Sequence, residues 1–366
     1  MIENVKKLLV KYNNQLVGIL VEDDEGNINF QYSKKWIETG FSISPISLPL
    51  NSKVYRKEKK TLEGLNGVFY DSLPDGWGNL LLRRKLSTVG VDYDKLSPLT
   101  KLSLITKNGL GALEYEPSQT ENTIIKKYDL DKLSKEANDL FNSYNADIDI
   151  EAFCQLGGSS GGSRPKVHIN DGNEEWIVKF PCRYDPIEIG FEEYNLNKLA
   201  SECGINVNGF KLFDSRTNKG YFGAKRFDRL DGKKIHMISL SSLLETSHQI
   251  PNLDYLLLFQ VINKICLDKK DILEAFKRMC FNVLIENKDD HGKNFAFLYD
   301  EEKKSYVLSP FYDITSLKQK FEHEMTVNGN GNPTKEDLIN VGIKFGLSKD
   351  ECNNIISFIE NKINVK

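Results

Sequence analysis

The sequence predicts an α+β fold in two lobes, a β-rich N-terminal domain followed by a mainly helical C-terminal one. Three observations carry that reading. The first thirty residues alternate in short β-type runs; a glycine- and serine-rich loop at 156–166 precedes two further strand patterns; beyond residue 250 the apolar residues recur mostly at helical spacing. A chain of 366 residues also exceeds one average domain, which favours two lobes.

Taken in order, the runs 7–12, 15–21 and 28–32 flank Asn13-Asn14 and an acidic turn at 22–27, the pattern of an antiparallel meander. A turn at Leu73-Pro74-Asp75-Gly76 leads into a helix-like stretch at 79–86, with Trp77 expected as a buried anchor. Polar, charge-mixed sequence at 116–127 is the expected linker, and Leu133, Ala137, Leu140 and Tyr144 then recur on one helical face. The expected parts are an N-terminal β-rich subdomain at 1–125, a nucleotide-binding part at 126–250 and a helical lobe at 251–366. Helices are expected at 191–203, 254–266, 272–286, 335–345 and 350–363. The last opens on Ser348 and Glu351, a capping-box spacing.

Composition excludes several classes. Apolar residues at 40% and charged residues at 28% are ordinary globular values, unlike disorder, collagen or coiled coil. A net charge of -3 from 49 basic and 52 acidic side chains lacks the basic excess of a dedicated nucleic-acid binder. The basic stretch at 53–60 reads as a solvated loop. Six scattered cysteines without a C-x-x-C pair point to reduced thiols. The N-terminus, MIENVKK, is not a signal peptide, and the most apolar run, 256–262, is too short for a bilayer. The expectation is a cytoplasmic protein with no membrane partner.

The chemistry-bearing motifs begin with LGGSSGGSRPK. Gly157, Gly158, Gly161 and Gly162 leave backbone N–H groups open to an anion, with Ser159, Ser160 and Ser163 between them. The stretch is neither a P-loop nor a dinucleotide fingerprint. Alone, such a loop is most often a connector. Here it precedes a strand at 166–170, a turn, and a strand at 175–180 with Lys179 among apolar neighbours (WIVKF). That is the layout of a protein-kinase nucleotide lobe, where the loop covers ATP phosphates and the lysine neutralises them. The next helix supplies Glu192 and Glu193 as carboxylates for the lysine, and periodicity does not choose between them.

Further along, NKDDHGKN places Asp289 and Asn294 at the D-x-x-x-x-N spacing of a kinase catalytic loop. A hairpin pattern at 295–298 and 305–308 follows, and Asp313 lies just beyond in SPFYD. Asp289 would orient the substrate hydroxyl and accept its proton, while Asn294 and Asp313 are hard oxygen donors suited to Mg²⁺. His291 is expected to brace this loop by hydrogen bonding, and His168, His236, His248 and His323 are too isolated for a metal site. An Asp–Asn pair alone is usually turn chemistry. In this chain order the pieces indicate a protein-kinase-like bilobal fold.

The stretches FYDSLPDGWGNLLLRR, LGGSSGGSRPK, WIVKF, AKRFDR, NKDDHGKNFAF and SPFYDI, together with the meander, closely resemble the HipA family of bacterial serine/threonine kinases, toxins of type II toxin–antitoxin pairs. The resemblance implies Asp289 as catalytic aspartate, Asn294 and Asp313 as metal ligands, and Lys179 on ATP phosphates with Glu193 as its helix partner. It places the adenine-contacting hinge near Met237, Ser239 and Leu240, and counts the glycine loop, His291 and Lys293 among the ATP-binding residues. It also implies that the kinase phosphorylates its own loop at Ser159, with Ser160 and Ser163 as alternatives, and that phosphate there repels ATP.

Implied partners are a small DNA-binding antitoxin of the HipB type, through which alone DNA is reached, and a translation protein of the aminoacyl-tRNA synthetase class as substrate. Asp290 departs from the family pattern, where a small residue is common, and is expected to add negative charge beside Asp289. The alternatives are a small-molecule kinase and a non-catalytic ATP-binding corepressor acting with the antitoxin.

Overall fold

Leu8, Val10 and Tyr12 are buried while the residues between them are not, so a period of two folds Lys7–Tyr12 (β1) with one face inward. The computed structural model describes residues 2–58, 61–120, 128–142, 148–157, 161–316 and 320–365. They form two units: Met1–Glu192 with Gly209–Ile238 and Ser242–Thr246, and Glu193–Asn208 with Ser239–Ser241 and Ser247–Lys366. Much of the expected linker, the boundary at 125, Tyr144 and the end of the basic stretch (residues 59–60) lie outside the described residues, as do Gly158, Ser159 and Ser160.

In the first unit, β1 pairs antiparallel with Gln15–Glu22 (β2), which pairs with Ile28–Tyr32 (β3), as the meander predicts. Tyr55–Lys57 (β4) and Leu113–Glu116 (β5) complete the order β4-β3-β2-β1-β5. These edges escaped the sequence reading because three or four residues are too few to show a period.

A second sheet has the order β6-β7-β9-β8. Lys166–Asp171 (β6) and Glu174–Lys179 (β7) are the two expected strands, in a register that faces Lys166 with Lys179. Phe210–Phe213 (β8) and Tyr221–Lys225 (β9) were not expected; all four residues of β8 are half-buried, so no alternation marks it. One face of this sheet closes a core with Trp77, Leu81, Phe153, Val167, Val178, Phe180 and Tyr221.

Directly after β9, the AKRFDR segment ties this sheet to the loop at 108–111. Arg226 donates to the carbonyls of Asn108 at 2.7 Å and Gly109 at 2.8 Å. The Gly111 N–H donates to Asp228 Oδ2 at 2.7 Å, and Arg229 donates to the carbonyls of Gly111 and Gly109. Arg226 also donates to Asp228 at 2.6 Å, with both side chains buried. Burial works against the Asp228 charge, but Arg226 and Arg229 outweigh it and hold its carboxyl below the ordinary aspartate range. Burial, then the neighbouring Arg226 charge, push His168 down, so its Nδ1, 3.2 Å from Arg226, accepts.

In the second unit, the hairpin Ala296–Asp300 and Ser305–Leu308 pairs antiparallel with Phe297 opposite Leu308. Helices Tyr255–Ile265, Lys270–Leu284, Lys335–Lys344 and Lys349–Asn364 supply buried Phe259, Phe276, Met279, Val341, Ile356 and Ile359. The last two helices both open on complete capping boxes, Thr334 with Asp337 and Ser348 with Glu351. The six cysteines form no disulfide. Among the described residues, no helix is long and apolar enough to cross a membrane.

Arg226→Ala takes a donor from a buried carboxylate and from two backbone carbonyls, and is expected to cost about 3–5 kcal/mol in urea denaturation. The folded-state value of Asp228 is depressed, so its contribution is complete above the unfolded aspartate value of roughly 4 and is lost as pH falls below it. Wild-type stability measured against pH should therefore decline on that acid side.

Candidate active site

The loop after helix Lys270–Leu284 carries the expected catalytic pair. Asn294 Nδ2 donates to the Asp289 carbonyl at 2.8 Å, and the Asn294 N–H donates to the His291 carbonyl at 2.9 Å. These bonds close the loop on itself in a short 3-10 turn, Gly292–Asn294. Gly292 packs closely there: a Cβ would lie 2.5 Å from both Leu253 Cδ1 and Ser241 Oγ, and those side chains would have to move. The amide of Asn294 is thereby oriented, its nitrogen toward the loop backbone, so Oδ1 is the atom left to act as an oxygen donor. His291 braces the loop through its carbonyl. Its ring Nδ1 is buried without a hydrogen bond among the described residues.

Asp289 and Asp290 differ sharply. The Asp289 side chain is 32% exposed, and that of Asp290 is 0% exposed. Asp290 therefore does not add charge beside Asp289 at an open site; it is the acceptor of a buried network. Tyr255 Oη donates to Oδ2 at 2.9 Å and His323 Nδ1 lies 2.9 Å from the same oxygen. The Glu324 N–H donates to Oδ1 at 3.0 Å. Tyr255 Oη also accepts from Asn282 at 3.0 Å, Asn282 accepts from Asn287 at 2.9 Å, and Asn287 accepts from Thr315 Oγ1 at 3.2 Å. Burial and then the Asp290 charge drive the Tyr255 hydroxyl well above its usual range, so it remains a donor.

That chain of bonds ends two residues past Asp313, which adopts a left-handed backbone at φ +56°. Ser316 Oγ donates to the Ile285 carbonyl at 3.1 Å, a second tie between this segment and the base of the loop. Tyr312 Oη donates to the Lys293 carbonyl. One amide oxygen and one carboxylate are a fitting donor set for Mg²⁺, which keeps several water or phosphate oxygens of its own. Among the described residues, no cluster of three His, Cys, Asp or Glu side chains could hold a metal without such help.

The other expected residues divide between the units. Lys179 ends β7 in the first unit, its Nζ 5.7 Å from the centre of the Phe222 ring. Gly157, Gly161, Gly162 and Met237 also belong to that unit, with Ser163 exposed. Glu193, Ser239 and Leu240 belong to the second, all three buried, and the Leu240 N–H donates to the Phe295 carbonyl at 2.8 Å. Helix Ile189–Glu202 buries Glu193 and exposes Glu192, a difference that periodicity had left open.

A family profile described as the HipA-like C-terminal domain matches residues 158–365, more than half of the chain, and one described as the HipA N-terminal domain matches residues 8–116. The chain belongs to the HipA family. A Sinorhizobium fredii protein named "Putative kinase Y4dM" is 27% identical over 190 residues, 48% of this chain and 44% of that protein. A second from the same organism, "Putative kinase Y4mE", is 23% identical over 354 residues, 85% of this chain and 77% of that one. The chain thus spans less than half the length of the first relative. Among solved structures, Shewanella oneidensis HipA, from a complex with HipB and operator DNA, superposes with a TM-score of 0.72 at 17% identity. That match covers 97% of this chain and 88% of that one. The fold expected from the sequence, a β-rich N-terminal region with a helical C-terminal region, is the fold the two share.

In this HipA-family chain the residue that sequence reading missed is Lys320. Its Nζ donates to Asp289 Oδ1 at 2.5 Å and to Glu324 Oε1 at 2.8 Å. Partial burial works against its charge, but the bonds to Asp289 and Glu324 prevail and hold the ammonium above its usual range. It lies 31 residues beyond Asp289, and no spacing rule joins the two.

Two substitutions should separate the buried carboxylate from the open ion pair. Asp290→Ala leaves Tyr255, His323 and a backbone N–H without their acceptor and is expected to cost at least about 3 kcal/mol in urea denaturation. Lys320→Ala removes a pair open to solvent, and should change stability by less than about 1 kcal/mol.

Proposed function

We propose that this chain is an ATP- and Mg²⁺-dependent protein-serine/threonine kinase, the cytoplasmic toxin of a HipA/HipB-type pair. The observation that carries the reading is the closed loop at 289–294. One bond, from Asn294 to the Asp289 carbonyl, presents an open carboxylate and an oriented amide oxygen side by side, while Asp290 anchors the loop from within. Family membership and the kinase names of its relatives support the same chemistry.

In the proposed reaction, Asp289 orients a serine or threonine hydroxyl toward the γ-phosphate and takes its proton as the new P–O bond forms and the bond to ADP breaks. Lys179 counters charge on the ATP phosphates, and Glu193 is its proposed carboxylate partner. Gly157, Gly158, Ser159, Ser160, Gly161 and Gly162 cover the phosphates, His291 and Lys293 line the same site, and Met237, Ser239 and Leu240 receive the adenine. Asn294 and Asp313 would hold Mg²⁺, which neutralises phosphate charge.

The proposed partner is a small DNA-binding antitoxin of the HipB type, because the Shewanella oneidensis neighbour is in complex with HipB and operator DNA. The proposed substrate is a translation protein of the aminoacyl-tRNA synthetase class. Phosphorylation of the chain's own loop, at Ser159 or else Ser160 or Ser163, would add about two negative charges where ATP phosphates sit and so stop the enzyme.

Peptide mass spectrometry after incubation of phosphatase-treated protein with ATP and Mg²⁺ tests this reading. Phosphate is expected on a loop serine of the wild type and absent from Asp289→Ala. A wild type that binds ATP yet acquires no phosphate, and transfers none to translation proteins, would overturn the kinase assignment in favour of the ATP-binding corepressor or a small-molecule kinase.

A further inference from the structure

Trp77 is fully buried, yet both of its N–H groups point to one short segment of chain. The backbone N–H donates to the Gly162 carbonyl at 3.0 Å, and the indole Nε1–H donates to the Lys166 carbonyl at 3.0 Å. The two acceptors bracket residues 163–165, where the glycine-rich loop runs down into β6. Lys166 adds a bond from its own Nζ to the Gly161 carbonyl.

The approach is close enough to exclude a side chain at two places. A Cβ on Gly76 would lie 2.5 Å from Ser163 Cα and 2.6 Å from the Gly162 oxygen, at a φ of +24°. One on Gly157, at the other end of the loop, would lie 2.6 Å from the Lys166 oxygen and 3.0 Å from Trp77 Nε1. The obstructing atoms are mostly backbone, so no rotamer change relieves them.

We propose that the turn at 75–77 is a latch that holds the C-terminal end of the glycine-rich loop in place for nucleotide, which makes Gly76 and Trp77 positioning residues for ATP. The inference rests on the kinase reading for its ligand. The indole ring alone explains a core anchor, since it packs edge-on to Phe153 at 6.2 Å. A buried indole N–H needs an acceptor in any core, but core packing does not explain the backbone bond to Gly162 or the backbone-to-backbone approach at Gly76. A glycine-rich segment loses more conformational freedom on ordering than any other, so fixing one end beforehand reduces what nucleotide binding must supply. The latch belongs to the segment matched by the N-terminal profile, residues 8–116, and so gives that region a part in nucleotide binding.

The test compares the full-length wild type with Gly76→Ala and Trp77→Phe, the second keeping an aromatic ring in case the first does not fold. Steady-state kinetics of autophosphorylation or peptide phosphorylation yield KM for ATP and kcat. Hydrogen exchange of the amides at 161–166, measured without nucleotide, reads the loop directly. KM for ATP is expected to rise about tenfold with a much smaller fall in kcat, the signature of lost binding rather than lost chemistry, and exchange at 161–166 to quicken. Unchanged KM and unchanged exchange in a folded variant overturn the latch. A wild type that transfers no phosphate overturns the kinase reading instead. Exchange then decides alone: quicker exchange in the variants upholds the latch, and unchanged exchange refutes it.

Discussion

A carboxylate taken fully out of water must have its charge met by donors on every side, and Asp290 is such a group. Its partners come from two separate stretches: Tyr255 at the start of a helix, and His323 with the backbone of its neighbour Glu324. Satisfying one carboxyl therefore ties together three segments of the second unit, its own loop included. The neighbouring peptide carries Asp289, so the position of the open carboxylate follows from the burial of the closed one. The same network continues through Asn282 and Asn287 to Thr315, and so reaches the segment of Asp313.

The first unit solves a related problem with opposite charge. A loop at 108–111 offers half-buried carbonyls and a buried N–H, and Arg226, Asp228 and Arg229 supply their partners. Arginine suits the task because its planar fork addresses two carbonyls and a carboxylate together. Three residues that follow β9 thereby join the second sheet to the chain just before β5. Trp77 ties the turn at 75–77 to the start of the same sheet, again by donating to backbone carbonyls.

Much of the architecture was legible because periodicity and turn chemistry are local. The meander, the strands on either side of Asp171-Gly172-Asn173, the four late helices and the Ser348 capping box all appear within a residue or a few of their expected bounds. The loop at 289–294 was legible for another reason: Asp289 and Asn294 are close in sequence, so their spacing alone brings them together. Short strands such as β4, β5 and β8 were not legible, since three or four residues carry no period.

Residue types and local spacing determined which side chains could do phosphotransfer chemistry and in what chain order they occur. Only the tertiary structure decided which aspartate is open and which is buried, because exposure depends on segments far away in the chain. Tyr255, His323 and Glu324 make Asp290 an internal support, and Lys320 pairs with Asp289 across 31 residues. A one-dimensional pattern records neighbours along the backbone; hydrogen bonds to a buried charge are satisfied by neighbours in space.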